Sequence, residues 1–297
     1  MKVAITGASG LIGTALREIL DEAGHDVVRL VRRAPAALDE VGWDPGRGAV
    51  DRAGLAGVEG IVNLSGANLG ARRWTTSYQR VIRDSRVDAT STLARTAATL
   101  DPLPRVLVSA SATGIYGPDR GDEILDESSA LGDGFLADVC REWEAATAAA
   151  ADAGVRVVHL RSGLVMSRHG GALRRMLPLF RAGAGGRIGG GRQWWSHLSL
   201  QDEVRAIRFL LESEDCAGPY NLTAPHPATN AQFSAELATA VHRPAALPVP
   251  SLALRVALGD FAQDILGSLR VLPRRLDAAG FTHLHPDAPT VVRAALR

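Results

Sequence analysis

Along the first half of the chain, short apolar runs rich in β-branched residues alternate with longer stretches whose apolar positions recur at helical spacing. Buried strands are predicted at residues 2–6, 25–33, 60–66, 105–111 and 155–167. Helices are predicted at 11–24, 74–100 and 135–153, and loops at 34–57 (with at most one short strand) and 112–134. This alternation predicts fold class α/β, with a Rossmann-type doubly wound parallel sheet.

The pattern changes after about residue 168. Helical stretches at 171–183, 201–213 and 229–242 alternate with Gly- and Pro-rich loops, and one short strand is predicted at 219–224. The tail at 247–297 is mostly helical, with its clearest helix at 272–281. We predict a Rossmann domain over 1–168, to which segments from about 190–224 return, and a smaller, mostly helical C-terminal region over 169–297.

Composition narrows the class of protein without defining it. The chain has 297 residues, 46% hydrophobic and 22% charged, which is typical of a globular protein. Its formal net charge of +1 provides no overall field for nucleic acid or an anionic membrane. Two cysteines are too few for a disulfide framework, and no apolar run is long enough to predict a membrane span. The strand predicted to begin at Lys2 leaves no room for a signal peptide. We therefore expect a cytoplasmic protein.

The sequence TGASGLIG, residues 6–13, joins the first strand to the first helix. Its three glycines allow a tight turn and a close approach of the backbone to a pyrophosphate, and the helix N-terminus offers free N–H groups. This strand–glycine loop–helix context predicts a dinucleotide site. The expected cofactor contacts are Gly7, Ser9, Gly10, Leu11, Ile12 and Gly13.

The end of the second strand indicates which dinucleotide binds. An NAD site typically has Asp or Glu there, which binds the ribose 2′-hydroxyl. This chain has Arg32 and Arg33 instead, and a guanidinium can bind the 2′-phosphate of NADP(H) through charge-assisted hydrogen bonds. We therefore predict NADP(H) as the cofactor, with both arginines as contacts. In so arginine-rich a chain, a solvated surface pair is the alternative.

These features resemble the extended short-chain dehydrogenase/reductases, and nearly the whole chain is similar to one atypical branch, the sugar-nucleotide epimerase-like "epimerase family" proteins. The motifs that carry the resemblance are NLSG (63–66), GANLGARRW (66–74), SATGIYG (111–117), FLADVCREWE (135–144), LRSGLVMSRHGGAL (160–173), GGGRQWWSHLSLQDEV (189–204), GPYNLTAPHPATNAQF (218–233) and, in a tail similar to this branch's C-terminal domain of unknown function, LPVPSLALRVALGD and LPRRLDAAGF. The resemblance implies NADP(H) binding and a substrate that is generally not established. It also implies cofactor contacts at Leu64, Ser65, Arg86, Ser109 and Leu164.

The wider superfamily uses a tyrosine as general acid/base, with a lysine four residues later that lowers the tyrosine pKa. Aligned on that pattern, FLADVCREWE has Leu136 at the tyrosine position and Cys140 at the lysine position; a shift of one residue puts Phe135 in the tyrosine role. No tyrosine has a lysine four residues later, because Lys2 is the only lysine in the chain. The usual dyad is therefore absent from the sequence.

Other side chains could polarise a substrate oxygen or carry a proton. Ser111 matches the strand hydroxyl of the superfamily, and Tyr116 lies just past that strand. Cys140 replaces the lysine, and His197 is a residue type that titrates near neutral pH. We take these four as the candidate catalytic residues. For the last three, a packed or surface position is the alternative.

Two segments, GARRW (70–74) and GRQWWSH (191–197), combine arginine, tryptophan and glycine. Their arginines could bind phosphate or carboxylate, and their tryptophans could stack on a base or sugar ring. The candidate substrate contacts are Arg72, Arg73, Trp74, Arg192 and Trp195. In the alternative, the tryptophans lock the smaller region onto the sheet. We predict that region 169–297 binds a small-molecule substrate, possibly nucleotide-linked. We expect no metal and neither a nucleic-acid nor a membrane partner. We also expect a monomer or a homodimer.

The leading hypothesis is an NADP(H)-dependent oxidoreductase or epimerase-like enzyme that acts on a carbonyl or alcohol. Ser111 would contact the substrate oxygen, and a group other than tyrosine would supply the proton. The alternative is a catalytically silent NADP(H)-dependent binding or regulatory protein, for example in cell division or complex assembly.

Overall fold

The computed structural model describes residues 1–245 and 248–297 and is built around an eight-stranded sheet. The strands are β1 (Lys2–Thr6), β2 (Asp26–Val31), β3 (Glu40–Asp44), β4 (Ala49–Val50), β5 (Gly60–Asn63), β6 (Val106–Ala112), β7 (Ile124–Leu125), β8 (Arg156–Ser162), β9 (Leu164–Met166), β10 (Trp194–Trp195), β11 (His197–Ser199), β12 (Gly218–Leu222), β13 (Ala228–Thr229) and β14 (Arg270–Val271). The helices are α1 (Leu11–Glu22), α2 (Thr76–Ala97), α3 (Phe135–Ala145), α4 (Ala148–Asp152), α5 (Gly171–Arg181), α6 (Leu200–Glu212), α7 (Asn230–Ala240), α8 (Ser251–Leu258), α9 (Phe261–Leu266), α10 (Arg274–Ala278) and α11 (Ala288–Ala295).

The order of strands in the main sheet is β12-β8-β6-β5-β1-β2-β3-β4. Neighbouring strands are parallel, except that β4 runs antiparallel to β3. The chain builds outward from β1 through β2 and β3, then returns to the other side of β1 with β5. This reversal creates a crevice at the carboxyl ends of β1 and β5, where ligands of such sheets bind. The predicted doubly wound fold is confirmed.

Both faces of the sheet are buried, which explains the continuous apolar runs of its strands. In β1, Val3 and Ile5 pack with residues of α1 and α6, whereas Ala4 belongs to the core on the opposite face with residues of α2 and α4. A third core lies in the C-terminal half, where residues of α5, α7 and α11 pack together. The first two cores fix the strand ends that form the candidate site.

Two predicted elements need correction. The segment 34–57, predicted as a loop with at most one short strand, contributes β3 and β4 to the main sheet. Val41 and Trp43 alternate along β3 and are buried, but polar residues flank them and hide the strand pattern. The predicted strand 155–167 divides into β8 and β9 at Gly163, and β9 pairs with β11 outside the main sheet.

The predicted helix 135–153 is also interrupted, giving α3 and α4. The Thr147 hydroxyl lies at the break, donates to the Glu144 carbonyl oxygen at 2.7 Å and lies 3.0 Å from Nε2 of His159. A side chain that bonds back to the preceding turn competes with regular helix geometry. The run of alanines that follows gives no local sign of this break.

The later part of the chain meets the first part at several strands. β12 forms one edge of the main sheet beside β8, and β14 pairs with β7. The boundary at residue 168 stays a prediction, and the predicted tail begins at residue 247, which lies outside the described residues. Within 1–245 and 248–297, no helix has the length and apolarity of a membrane span, and no cluster of three metal-ligating side chains occurs.

Candidate functional site

The glycine loop lies at the carboxyl end of β1, in the middle of the sheet. Gly7 has a φ of +67°, and a Cβ built on it would lie 2.7 Å from the Leu64 carbonyl oxygen. A Cβ on Gly13 would lie 2.2 Å from the Gly7 carbonyl oxygen. Only glycine fits at these two positions, so the loop runs tightly against the end of β5 and α1 packs tightly against the loop.

The N-terminus of α1 is open to a ligand. Gly10 is the N-cap, and none of the described side chains caps the first-turn amides. Ser9 and Gly10 are exposed, and Leu11 and Ile12 are half-buried. Free amides at the positive end of a helix dipole are the groups that bind a pyrophosphate. The loop therefore has the shape and the hydrogen-bond donors that a dinucleotide requires.

The other predicted cofactor contacts have different surroundings. The backbone amides of Leu64 and Ser65 donate to polar side chains at the ends of β1 and β5, at 3.2 Å each. Leu164 is 38% exposed at the start of β9. Ser109, by contrast, is fully buried in the sheet, and its hydroxyl donates to the Ala110 carbonyl oxygen. The structure therefore argues against a direct contact between Ser109 and the cofactor.

Arg86 projects from α2 toward the loop after β5. Its Nη1 donates to the carbonyl oxygens of Ala67 and Ile82, at 3.2 and 2.9 Å, and its Cζ lies 5.0 Å from the ring centroid of Trp143. Burial lowers the pKa of Arg86. No carboxylate among the described residues pairs with this guanidinium. A half-buried cation without a carboxylate partner is a suitable contact for an anionic ligand.

The two arginines after β2 differ in their partners. Arg33 donates to both oxygens of Glu40, at 2.8 and 2.5 Å, and to the Ala34 carbonyl oxygen at 2.9 Å. Arg32 is exposed, and no residue of 1–245 or 248–297 forms an ion pair or a side-chain hydrogen bond with it. Arg32 thus presents a free guanidinium at the end of β2, whereas Arg33 is engaged.

The helix expected to carry the tyrosine–lysine dyad packs beside the end of β6. The Leu136 side chain lies 3.4 Å from a Cβ built on Gly114, and the Cys140 thiol lies next to Ser111. Burial, reinforced by the nearby Glu144 carboxylate, raises the pKa of Cys140 to about 12. The thiol therefore stays protonated near neutral pH, and the structure argues against Cys140 as a proton carrier.

Ser111 belongs to a buried polar cluster that the sequence analysis missed. Its hydroxyl donates to Oε1 of Glu144 at 2.8 Å. Arg161 donates to both oxygens of the same carboxylate, at 2.9 and 3.0 Å. Strands β6 and β8 and helix α3 thus bring together a hydroxyl, a carboxylate and a guanidinium. While its single proton is given to the Glu144 carboxylate, Ser111 can accept a hydrogen bond from a substrate hydroxyl; if Glu144 carried the proton, Ser111 could instead donate to a substrate oxygen.

Tyr116 joins this cluster from the turn after β6. Its side chain is fully buried, and its hydroxyl accepts from Arg161 at 3.1 Å and donates to Oδ1 of Asn221 at 2.8 Å. Burial raises the pKa of Tyr116. The structure therefore argues against Tyr116 as a general acid/base. Asn221 in turn donates to the Leu272 carbonyl oxygen at 3.0 Å, so the hydrogen-bond chain from Ser111 reaches the C-terminal region.

His197 lies in the C-terminal core, enclosed by aromatic residues. It is 0% exposed, and its ring packs edge-on against Phe233 with centroids 5.2 Å apart. Nδ1 lies 2.9 Å from the Trp195 carbonyl oxygen, and Nε2 is buried with no hydrogen-bond partner in the part of the chain that the structure describes. Burial lowers the pKa of His197. A neutral, enclosed imidazole cannot exchange protons with a substrate, so the structure argues against His197 as the proton carrier.

The tryptophans predicted to stack on a substrate have protein partners instead. Trp74, 6% exposed, stacks on Phe261 with ring centroids 4.9 Å apart and meets Phe135 edge-on at 5.2 Å. Trp195, also 6% exposed, packs against Phe233 at 5.8 Å. The Trp74 contacts favour the alternative in which a tryptophan fastens the C-terminal region to the first part of the chain, whereas Trp195 packs within the C-terminal core itself.

The predicted substrate arginines remain available. Arg72, Arg73 and Arg192 are exposed, and none forms an ion pair with a described carboxylate. The loop that carries the first two also lies against Arg175 of α5, whose Nη1 is 2.6 Å from a Cβ built on Gly70. Several guanidinium groups therefore surround this loop, which suits an anionic group on a substrate.

A second buried carboxyl group lies behind the turn after β8. Glu203, in the first turn of α6, is 1% exposed and accepts from Oγ of Ser162 at 2.8 Å. Its Oε2 atom has no partner within the described residues. Burial raises the pKa of Glu203 to about 7. In the sequence it looks like an ordinary acidic residue near a helix N-terminus, so no local signal marks it.

Sequence spacing could have revealed Glu144. It follows Cys140 by four residues on α3 and therefore lies on the helix face that holds the dyad positions. Arg161 carries no comparable signal, because its pairing with Glu144 depends on strand β8 lying beside β6. The same holds for Asn221, which reaches Tyr116 only because β12 lies beside β8.

The parallel sheet with its glycine loop defines a dinucleotide-binding protein of the Rossmann type. A family model described as the NAD dependent epimerase/dehydratase family matches residues 3–223, and a domain of unknown function, DUF1731, matches residues 249–295. The chain belongs to the NAD dependent epimerase/dehydratase family. The resemblance drawn from the sequence motifs is confirmed.

Individual relatives agree with this assignment. The epimerase family protein Mb2239 of Mycobacterium bovis is 46% identical over 284 residues, which cover 95% of this chain and 93% of its own. A crystal structure of the human epimerase family protein SDR39U1 (isoform 2) with NADPH is 33% identical, with a TM-score of 0.92 and 99% of each chain covered. The nucleoside-diphosphate sugar epimerase from Corynebacterium glutamicum is 35% identical, with a TM-score of 0.81 over 100% of this chain and 58% of its own. The NADPH of the human structure agrees with the predicted cofactor class.

Proposed function

We propose that this protein binds NADP(H) and acts as an oxidoreductase or epimerase-like enzyme on a carbonyl or alcohol of a small or nucleotide-linked substrate. The observation that carries the proposal is the glycine loop, which is closed to side chains at Gly7 and Gly13 and followed by an uncapped helix end. Family membership and the NADPH bound to the human relative support it.

The residues at the crevice fit such a cofactor. The loop and the α1 amides would hold the pyrophosphate, Arg32 would contact the 2′-phosphate, and Arg86 would contact a phosphate or ribose oxygen. Leu164 would lie against the nicotinamide. When bound, the dinucleotide supplies or accepts a hydride.

Ser111 and Glu144 are the groups that we propose handle the substrate proton. The Ser111 oxygen can accept a hydrogen bond from a substrate hydroxyl while its own proton points at Oε1 of Glu144, 2.8 Å away. A proton released by an alcohol would pass to Ser111 as the Ser111 proton passes to Glu144. Arg161 holds the carboxylate in place through two hydrogen bonds. This arrangement takes the place of a tyrosine hydroxyl near the nicotinamide.

A catalytically silent NADP(H)-dependent binding protein is the second candidate. It is favoured by α3, which has Leu136 and a protonated Cys140 at the positions of the usual dyad. Such a protein would bind the cofactor and a partner without consuming either.

A thermal-shift titration with NADPH and with NADH tests the proposed function. A ligand at 100 times its dissociation constant stabilises a fold by about 2.7 kcal/mol, which moves the melting temperature by several degrees. We expect a larger shift with NADPH than with NADH; no shift with either refutes cofactor binding. NADPH oxidation across a panel of anionic carbonyl compounds then separates an enzyme from a silent binder.

A further inference from the structure

The two arginines after β2 differ in whether their guanidinium groups are free to bind a phosphate, and this difference affects the preference between NADPH and NADH. Arg33 is 58% exposed, yet its guanidinium lies in a fork-to-fork pair with Glu40. Three of its five N–H groups are used, because Nη1 also donates to the Ala34 carbonyl oxygen. Arg32 has no such partner among the described residues.

Glu40 is the centre of this arrangement. Its side chain is 2% exposed, and it lies at the first position of β3, in register with Arg29 of β2. The carboxylate accepts from Arg33 and from the Ala36 amide, and it lies 3.1 Å from Nη1 of Arg29. The hydrogen bonds from Arg33, then from the Ala36 amide, hold the pKa of Glu40 below its usual value, so it is a carboxylate at neutral pH.

These contacts close the loop between β2 and β3 into a ring. Arg33 at the start of the loop is bonded to Glu40 at its end, and the Ala36 amide in the middle is bonded to the same carboxylate. The neighbouring Asp39 pairs with Arg29 at 2.5 and 2.7 Å. Two carboxylates therefore offset two of the three guanidinium groups that β2 and the loop after it carry, and among these three the positive charge that remains free is that of Arg32.

We propose that Arg32 binds the cofactor 2′-phosphate, that Arg33 chiefly braces the loop, and that Glu40 limits the strength of the NADPH preference by holding Arg33. The inference rests on the proposed function, because it concerns the same cofactor site. Glu40 acts in two ways. Its negative charge opposes that of the 2′-phosphate, and it occupies the donors of Arg33 that a phosphate would otherwise use.

Dissociation constants for NADPH and NADH, measured by fluorescence titration on the full chain, test this division of roles. Arg32→Ala should weaken NADPH binding about tenfold or more and leave NADH binding within about twofold. Arg33→Ala should weaken NADPH binding by no more than about threefold while lowering the melting temperature. Glu40→Gln should tighten NADPH binding about threefold or more and leave NADH unchanged, because it frees Arg33 and removes a negative charge.

Arg47→Ala is the matched control. That arginine is 87% exposed and pairs with Asp44, away from the loop ring, so its loss should change neither dissociation constant. The inference is overturned if Arg33→Ala weakens NADPH binding as much as Arg32→Ala, or if Glu40→Gln weakens it. Should Arg33→Ala fail to fold, Glu40→Gln decides alone. If the wild-type chain binds neither dinucleotide, the proposed function itself is overturned. If the wild-type chain binds NADPH but the variants do not rank in affinity as predicted, only the division of roles among Arg32, Arg33 and Glu40 is overturned.

Discussion

Replacing Glu203 by glutamine should make the folded protein more stable at alkaline pH. The Glu203 side chain is buried between α6 and the end of β8, where only one of its oxygens has a hydrogen-bond partner among the described residues. Glutamine has nearly the same shape and stays neutral at every pH. The substitution therefore removes a buried negative charge while its amide oxygen can still accept from Ser162.

The size of the effect follows from the two titrations. The ordinary pKa of a glutamate is 4.5, and burial raises the pKa of Glu203 to about 7 in the folded protein. The folded state therefore binds this proton more tightly than the unfolded state, so stability falls as the pH rises from about 4.5 and the full cost is present above 7. At about 1.4 kcal/mol for each pH unit between the two pKa values, the cost is about 3 kcal/mol.

Urea unfolding of wild type and Glu203→Gln, without cofactor, measures this cost. The stability difference in favour of the variant should grow by about 2 to 3 kcal/mol between pH 5 and pH 8.5. Glu212→Gln on the same helix is the control. Although burial acts in the opposite direction, hydrogen bonds from Arg208 and His25 lower the pKa of Glu212 below its ordinary value of 4.5. The contribution of the Glu212 carboxylate is therefore present above about pH 4.5 and lost only on further acidification, so the control difference should stay nearly constant between pH 5 and pH 8.5. A Glu203→Gln difference that is constant with pH would refute the reasoning.

Three further predictions concern the site and its surroundings. Cys140 should resist iodoacetamide at pH 8 in the native protein and react after unfolding, because burial raises its pKa to about 12; rapid native labelling of its peptide in mass spectrometry would contradict this. Ser111→Ala should lower turnover of any substrate found by about 10²–10⁴-fold while NADPH affinity is retained, and unchanged turnover would remove Ser111 from the mechanism. Trp74→Ala should lower stability by about 3 to 5 kcal/mol and expose residues 249–266 to proteolysis, since Trp74 stacks on Phe261; an unchanged melting temperature and cleavage pattern would show that this contact does not fasten the tail.

The central strands could be predicted because both faces of the sheet are buried and the apolar runs are continuous. β3 could not, since only Val41 and Trp43 are buried apolar residues there and Glu40 owes its burial to arginines outside the strand. The break between α3 and α4 depends on Thr147 meeting His159 of β8. Such contacts arise only after the sheet has formed, so a window of local sequence does not contain them.

Local sequence predicts one part of the candidate site and not the other. The cofactor end can be predicted, because the glycine loop and the helix that follows it are one continuous segment. The proton-handling cluster cannot, because Ser111, Glu144 and Arg161 come from three separate elements. Tyr116, Cys140 and His197 were chosen for their chemical type, and the structure places all three side chains in buried positions that the local sequence does not indicate.

The central claim, that the glycine loop binds NADP(H), is tested most directly by the NADPH dissociation constant of Gly10→Val beside Gly46→Val. Both glycines have backbone angles open to other residues, but Gly10 caps α1 at the loop whereas Gly46 lies in a surface turn. We predict NADPH binding that is unchanged in Gly46→Val and weaker by about tenfold or more in a folded Gly10→Val. Wild-type affinity in Gly10→Val would place the cofactor elsewhere and contradict the account.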